Sequence, residues 1–107
     1  AFADMVAAGA LLQLGSDAPV APLDPWLAMS AAVGRRTPDG SVWSPDQRLT
    51  AEEALAASVN GAGSVAVGTS ADLVLLAEDP LRLEAEELAG VRPVTTVVAG
   101  AVAHLRG

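Results

Sequence analysis

Apolar positions change their spacing twice within the first sixty residues. Phe2, Met5 and Val6 share one helical face and Gly9 follows as a stop, so residues 2–9 predict the end of a helix. Leu11-Leu12-Gln13-Leu14-Gly15 is instead a short, nearly unbroken apolar run, which predicts a buried strand. A loop follows from Ser16 to Leu23. Asp24-Pro25 then supplies an N-cap and a proline at the first helical position. The helix they open is predicted to run to about Arg35, with Leu27 and Ala31 on its apolar face and Met29 and Val33 beside them. Helix, strand, helix is a piece of an α/β repeat.

Residues 36–49 read as a loop with the turn signal Pro38-Asp39-Gly40. Thr50-Ala51-Glu52-Glu53 is a capping box, opening a helix over 51–58 that Asn60-Gly61-Ala62-Gly63 ends. The pattern is then mostly β. Ala71 to Ala77 predicts a strand and Glu84 to Leu88 a short helix. Val94 to Ala99 and Ala101 to Leu105 alternate around Gly100 like a tight hairpin. The expected division is therefore 1–60 and 61–107.

Composition narrows what such a chain can do. Hydrophobic residues reach 51% while aromatics are 3%, so the core must be assembled from many small aliphatic contacts. Thirteen acidic residues against six basic ones, all of them Arg, give a net charge of −7. That balance repels phosphate backbones and argues against a nucleic-acid partner. No apolar run approaches the ~18 residues of a membrane span, and no basic amphipathic helix offers a membrane anchor. Cysteine is absent, which removes disulfides, thiolate catalysis and cysteine metal sites and fits a cytoplasmic location. The start, Ala1-Phe2-Ala3-Asp4, has no charged n-region and no initiator Met, as expected of a cut or processed chain without a signal peptide.

Among candidate chemical groups Asp17 stands first. It follows the predicted buried strand and lies between Ser16 and Ala18-Pro19, whose small side chains and ring leave its carboxylate projecting. Ligands and reacting groups gather at such strand ends in parallel α/β folds. A carboxylate there can hold a divalent metal and accept a proton from water. The same pattern also fits an aspartate that caps a turn. His104, the one histidine, reads as a strand histidine, and a zinc site from this chain alone would need carboxylates beside it. Asp72 reads as a turn aspartate bonded to backbone. Arg35 and Arg36 end a helix, where cations offset the macrodipole, or face a substrate carboxylate. Trp43 either rims a pocket or packs beneath it. Glu52, Glu53, Glu84, Glu86 and Glu87 read as solvated helix faces. Gly61-Ala62-Gly63 lacks the lysine and strand–helix context of a phosphate loop.

The stretch Gly15-Ser16-Asp17-Ala18-Pro19-Val20, followed by Leu23-Asp24-Pro25 and Ala31-Ala32-Val33-Gly34-Arg35-Arg36-Thr37, resembles the amidohydrolase superfamily, in the branch that includes N-substituted formamide deformylase. Leu49-Thr50-Ala51-Glu52-Glu53-Ala54-Leu55 is similar to the family's helix after the barrel. Ser64 to Leu76 resembles its Ala-Asp-Leu-Val segment, and Val94 to Val102 its closing hairpin. The resemblance implies that residues 1–60 are the last helix–strand–helix of a (β/α)₈ barrel with the following helix. Residues 61–107 would contribute strands to a small composite β-sandwich. It further implies that Asp17 is a metal ligand, or lies close to the metal, and is the proton shuttle of a hydrolase acting on a small-molecule amide.

Departures from the family pattern limit what this chain can do alone. It has no lysine and no His-x-His, and a barrel needs about 250 residues. Thr69-Ser70 stands where Gly-Lys is usual, and the passage from Ser58 to Ser64 is short. The complete enzyme is expected to use a divalent metal, zinc, which this chain alone should not bind tightly. The chain would then associate with the missing barrel portion. The alternative expectation is a non-catalytic structural remnant or interaction module, a homo-oligomer joined through exposed strand edges.

Overall fold

The computed structural model describes residues 1–37 and 39–106, so the proline of the Pro38-Asp39-Gly40 turn signal lies outside the described residues. Helix α1 covers Phe2–Ala7 and turns Phe2 and Val6 toward the core, while Met5 is 46% exposed. Gly9 follows at φ 88°, a left-handed conformation that glycine adopts without a Cβ clash. Helix α2 covers Pro25–Gly34 and starts where the sequence places it. Asp24 Oδ1 accepts the N–H groups of Trp26 and Leu27 at 3.0 and 3.4 Å. Helix α3, Ala51–Ala56, opens with the expected box: Glu53 N–H donates to Thr50 Oγ1 at 3.1 Å, and Thr50 N–H donates to Glu53 Oε1 at 2.9 Å. It is shorter than the 51–58 expected, because the chain passes into turns that reach the left-handed region at Asn60 and Gly61.

Two expectations need correction. Leu11–Leu14 is not a strand. Leu12 and Leu14 lean on the core while Leu11 is 98% exposed, and Leu14 N–H donates to Ala57 C=O at 2.9 Å. A strand exists through its ladder, and among the described residues no strand runs alongside this one. The buried face of α2 is also different. Met29 and Val33 face the core as expected, with Ala32 and Gly34 buried beside them, whereas Leu27 and Ala31 are exposed. Small apolar residues lie on nearly every side of this helix, so periodicity marks no single face.

The second half carries a three-stranded antiparallel sheet: β1 (Leu73–Leu75), β2 (Thr95–Val98) and β3 (Ala101–Leu105), in that order. Leu73 pairs with Val97 and Leu75 with Thr95. On the other side Thr96 faces His104 but Val97 faces Val102, so Ala103 is the extra residue of a bulge. Ala99 and Gly100 join β2 to β3 at φ 49° and 82°, the two positive φ values of a tight hairpin turn whose twist suits its strands. Between β1 and β2 lies helix α4, Ala85–Leu88, which packs on α2. The fit is close: Ser30 Oγ donates to Ala85 C=O at 2.6 Å, and a Cβ at Gly34 would meet Ala85 Cβ at 3.0 Å.

The core sits among the helices. Met29, Ala32, Leu49, Ala54 and Leu88 form its centre, and among the described residues Met29, Leu49 and Leu88 are its largest buried side chains. Each such side chain contributes about 1.5–3 kcal/mol. The three strands bury no residue. The chain exposes 7381 Å² for 10.7 kDa, where a monomeric protein of that mass exposes about 5,500 Å². Its radius of gyration is 14.6 Å, against about 13 Å for a compact domain of this length. Leu11, Val20, Leu23, Val65 and Val67 are each at least 80% exposed and account for part of the surplus. Among the described residues no helix is long and apolar enough to cross a membrane.

Candidate functional site

Asp17 stands after the irregular segment Leu11–Ser16 and at the head of a turn. Val20 N–H donates to Asp17 C=O at 2.9 Å, and the Ala18–Pro19 peptide inside the turn is cis. Asp17 itself sits at φ 53°, a region that aspartate tolerates better than most side chains. Its side chain is exposed. The ion pairs among the described residues join Arg36 to Glu86, Arg82 to Asp79 and Arg92 to Asp24, so Asp17 enters none of them. Its two carboxylate oxygens are presented to whatever approaches the turn.

Most of the other candidates are held in structural contacts. Arg35 caps α2 at φ 53°, lies 4.9 Å over the Phe2 ring and donates Nε to Trp43 C=O at 3.3 Å. Trp43 N–H donates back to Arg35 C=O at 2.6 Å, and the indole is 69% exposed. Arg36 pairs with Glu86 at 3.0 Å and donates to Gly40 C=O at 3.1 Å. Asp72 Oδ1 accepts the N–H of Ala99, as a turn aspartate should. His104 is exposed on β3. The glutamates do more than solvate. Glu53 belongs to the cap of α3, Glu87 Oε1 accepts Glu84 N–H at 3.0 Å, and Glu86 takes Arg36. In the loop after α2, Asp39 accepts from the Thr37 hydroxyl and from Ser41 N–H, which lowers its pKa from 3.8 to about 2.

The structure does not gather these residues around Asp17. A hollow of about 160 Å³ between α2 and α4 is lined by Leu27, Ser30 and Arg36 with Ala85 and Glu86. Another, of about 300 Å³, is lined by Leu76, Leu83, Val91, Arg92 and Arg106. Asp17 lines neither. Among the described residues no three His, Cys, Asp or Glu side chains form a group that could hold a metal. A single carboxylate is no donor set for zinc, so the residues present do not by themselves fit the metal that the amidohydrolase resemblance implies.

Several contacts left no trace in the sequence pattern. Asp4 N–H donates to the buried Gln47 Oε1 at 3.1 Å, and Gln13 Nε2 donates to Asn60 Oδ1 at 3.0 Å. Arg92 reaches Asp24 at 3.6 Å. Asp24 is legible as a helix cap, but no local spacing links it to an arginine so far along the chain.

Comparison with known proteins gives this geometry a context. The chain is 34% identical over 112 residues to an N-substituted formamide deformylase of Arthrobacter pascens, covering 95% of this chain and 21% of that protein. It is 27% identical over 117 residues to the putative amidohydrolase YtcJ of Bacillus subtilis (strain 168), covering 97% and 22% respectively. The chain thus spans about a fifth of the length of these relatives. No solved structure matches it significantly. The amidohydrolase family pattern matches residues 1–104, from α1 through the Asp17 turn to β3, and the chain belongs to the amidohydrolase family.

Proposed function

We infer that this chain is the C-terminal portion of a metal-dependent amidohydrolase that cleaves a carbon–nitrogen bond in an amide, formamide or cyclic amide. The observation that carries the reading is the family match over residues 1–104 in a chain spanning a fifth of its relatives. Residues 1–60 would close a (β/α)₈ barrel, and residues 61–107 would add strands to a composite β-sandwich. The unpaired Leu11–Leu14 segment and the surplus of exposed surface support this, since both want neighbours.

Asp17 is the residue assigned to the chemistry. Its left-handed backbone, at the head of a turn, is the kind of local outlier that clusters at reacting sites. Its carboxylate would take a proton from the attacking water and return it to the leaving nitrogen. The described residues supply no other metal donor beside it, so a zinc ligated by Asp17 would draw its remaining ligands from elsewhere in the parent protein. The substrate would be a small molecule met in the cytoplasm, with neither nucleic acid nor membrane as partner.

The test is hydrolysis by the complete reading frame that contains this segment, assayed on N-substituted formamides, linear amides and cyclic amides. Turnover of at least one class is expected, with a loss of about 10²–10⁴-fold on Asp17→Asn. The isolated chain should be inactive. An Asp17→Asn enzyme at full rate would remove Asp17 from the mechanism, and amide turnover by the isolated chain would overturn the partial-enzyme reading.

A second reading has its own observation. Leu11 is 98% exposed, and Leu75, Val102 and Leu105 on the outer strands are 60%, 63% and 69% exposed. Such edges pair with other chains. On this reading the segment is a non-catalytic interaction module that oligomerises. Light scattering that finds a monomer at every concentration would exclude it.

A further inference from the structure

The loop that carries Asp17 is fixed at both ends, and the two anchors reach different parts of the chain. At its entry, Leu14 N–H donates to Ala57 C=O at 2.9 Å, and Gln13 bonds Asn60 at 3.0 Å. Both partners lie just beyond α3. At its exit, Asp24 uses both carboxylate oxygens. Oδ1 caps α2, and Oδ2 faces Arg92 Nη1 at 3.6 Å. Asp24 also donates its own N–H to Pro22 C=O at 2.8 Å, closing the last turn of the loop. Its side chain is only 25% exposed.

Arg92 stands on the segment between α4 and β2. Its Nη1 donates to Val91 C=O at 2.7 Å and to Ala89 C=O at 3.4 Å. The guanidinium is therefore held against its own backbone before it meets Asp24, and the pairing costs little further side-chain freedom. An ordinary surface pair, with both partners loose, lacks this advantage.

We propose that Arg92 is a positioning residue for the Asp17 loop, acting through Asp24. The cation orients the Asp24 carboxylate. That carboxylate fixes Asp24 on the first turn of α2, and the backbone N–H of the same residue closes the turn onto Pro22, where the fixed φ values of Pro22 and Pro25 leave the loop exit few other paths. The sheet-bearing half of the chain thus bears on the carboxylate of the helical half. Calling this loop catalytic rests on the reading of Asp17 given above. The positioning rests on the distances alone.

Amide exchange at Val20, whose N–H bonds Asp17 C=O, reads the loop in the intact chain by NMR. Asp24→Asn keeps a good N-cap and removes only the charge that faces Arg92. Arg92→Ala removes the cation. Each is expected to speed Val20 exchange about threefold, the size of a well-held surface pair. The double variant should go no further than either single one, and Arg92→Lys should recover at least half of the protection. The amides of Ala54 and Leu88, inside α3 and α4, should not change. The proposal is overturned if Val20 exchange is unmoved in either variant, or if the two effects add in full. It is equally overturned if Arg92→Lys is as loose as Arg92→Ala, or if Ala54 and Leu88 accelerate together with Val20. Hydrolysis does not enter this measurement, so its failure and that of the enzymatic reading are separate results.

Discussion

Asp72 Oδ1 accepts the backbone N–H of Ala99 at 2.8 Å, across 27 residues of sequence. Beside it, Gly100 N–H donates to Ala71 C=O at 3.0 Å. The residues that lead into β1 therefore grip both residues of the β2–β3 turn. The sheet has no buried side chain to hold its hairpin in place, so this polar clamp adds to the backbone ladders that set the register.

Removing the clamp should be measurable. Asp72→Ala leaves Ala99 N–H to water, and the expected loss is about 0.5–1.5 kcal/mol. Because the turn sits on the sheet rather than in the helical core, the amides of β2 and β3 should lose protection before that of Leu88. Hydrogen exchange separates the two sets. Equal loss across them would show that the clamp stabilises the whole chain and not the hairpin.

The turn also holds a residue that suits it poorly. Ala99 adopts φ 49°, and a left-handed alanine is strained by about 1–2 kcal/mol. Asparagine tolerates that region and is favoured at this position of a two-residue hairpin turn. Ala99→Asn leaves the backbone bond to Asp72 untouched. It is expected to add about 0.5–1 kcal/mol, seen as a rise of a few degrees in thermal midpoint.

Gly34 shows how α2 and α4 come so close. A Cβ there would lie 3.0 Å from Ala85 Cβ, so Gly34→Val drives two carbons together at a buried contact. The expected cost is about 1–3 kcal/mol in chemical denaturation. Adding Ala85→Gly opens the space, and the double variant should be less destabilised than the two single effects summed. Simple additivity would mean that the clash is relieved by helix movement instead.

Much of this was legible in sequence, for reasons that differ by residue. The caps at Asp24 and Thr50 and the hairpin turn at Ala99-Gly100 are local chemistry, complete within four residues, and each forms where the pattern places it. The inner face of α2 was not legible because Leu27, Ala31, Met29 and Val33 are all apolar, and α4, which selects among them, arrives some fifty residues later. Leu11–Leu14 reads as a strand because its composition suits one, but composition cannot supply the ladder. Asp17 was legible as a candidate through its neighbours. Its exit anchor, Arg92, was not, since an ion pair between distant segments has no period to reveal it.

Acid should act on the Asp39 loop within a defined window. Asp39 is held near 2, below its ordinary 3.8, by the Thr37 hydroxyl and the Ser41 N–H. A depressed carboxylate favours the folded loop fully above its ordinary pKa, and that contribution fades as pH falls from 3.8 through about 2. The Ser41 amide should therefore keep its protection at pH 5 and lose it across that window. Asp39→Asn should abolish the pH dependence. An unchanged Ser41 titration in that variant would assign the effect to another group.

Asp17 can be separated from the fold because of its backbone. At φ 53°, Asp17→Asn keeps a residue at ease in the left-handed region, while Asp17→Ala adds a strain of about 1 kcal/mol. The carboxylate enters no ion pair among the described residues, so its charge should matter little to stability. Two measurements then diverge. In denaturation of the chain, Asp17→Asn should match the native protein and Asp17→Ala should fall below it. In turnover by the complete enzyme the two should be alike, both down by about 10²–10⁴-fold, because neither side chain can carry the proton. If activity instead tracked stability, with Asp17→Asn nearly intact, Asp17 would be a turn aspartate, and the catalytic proton would have to be sought on another residue of the parent protein.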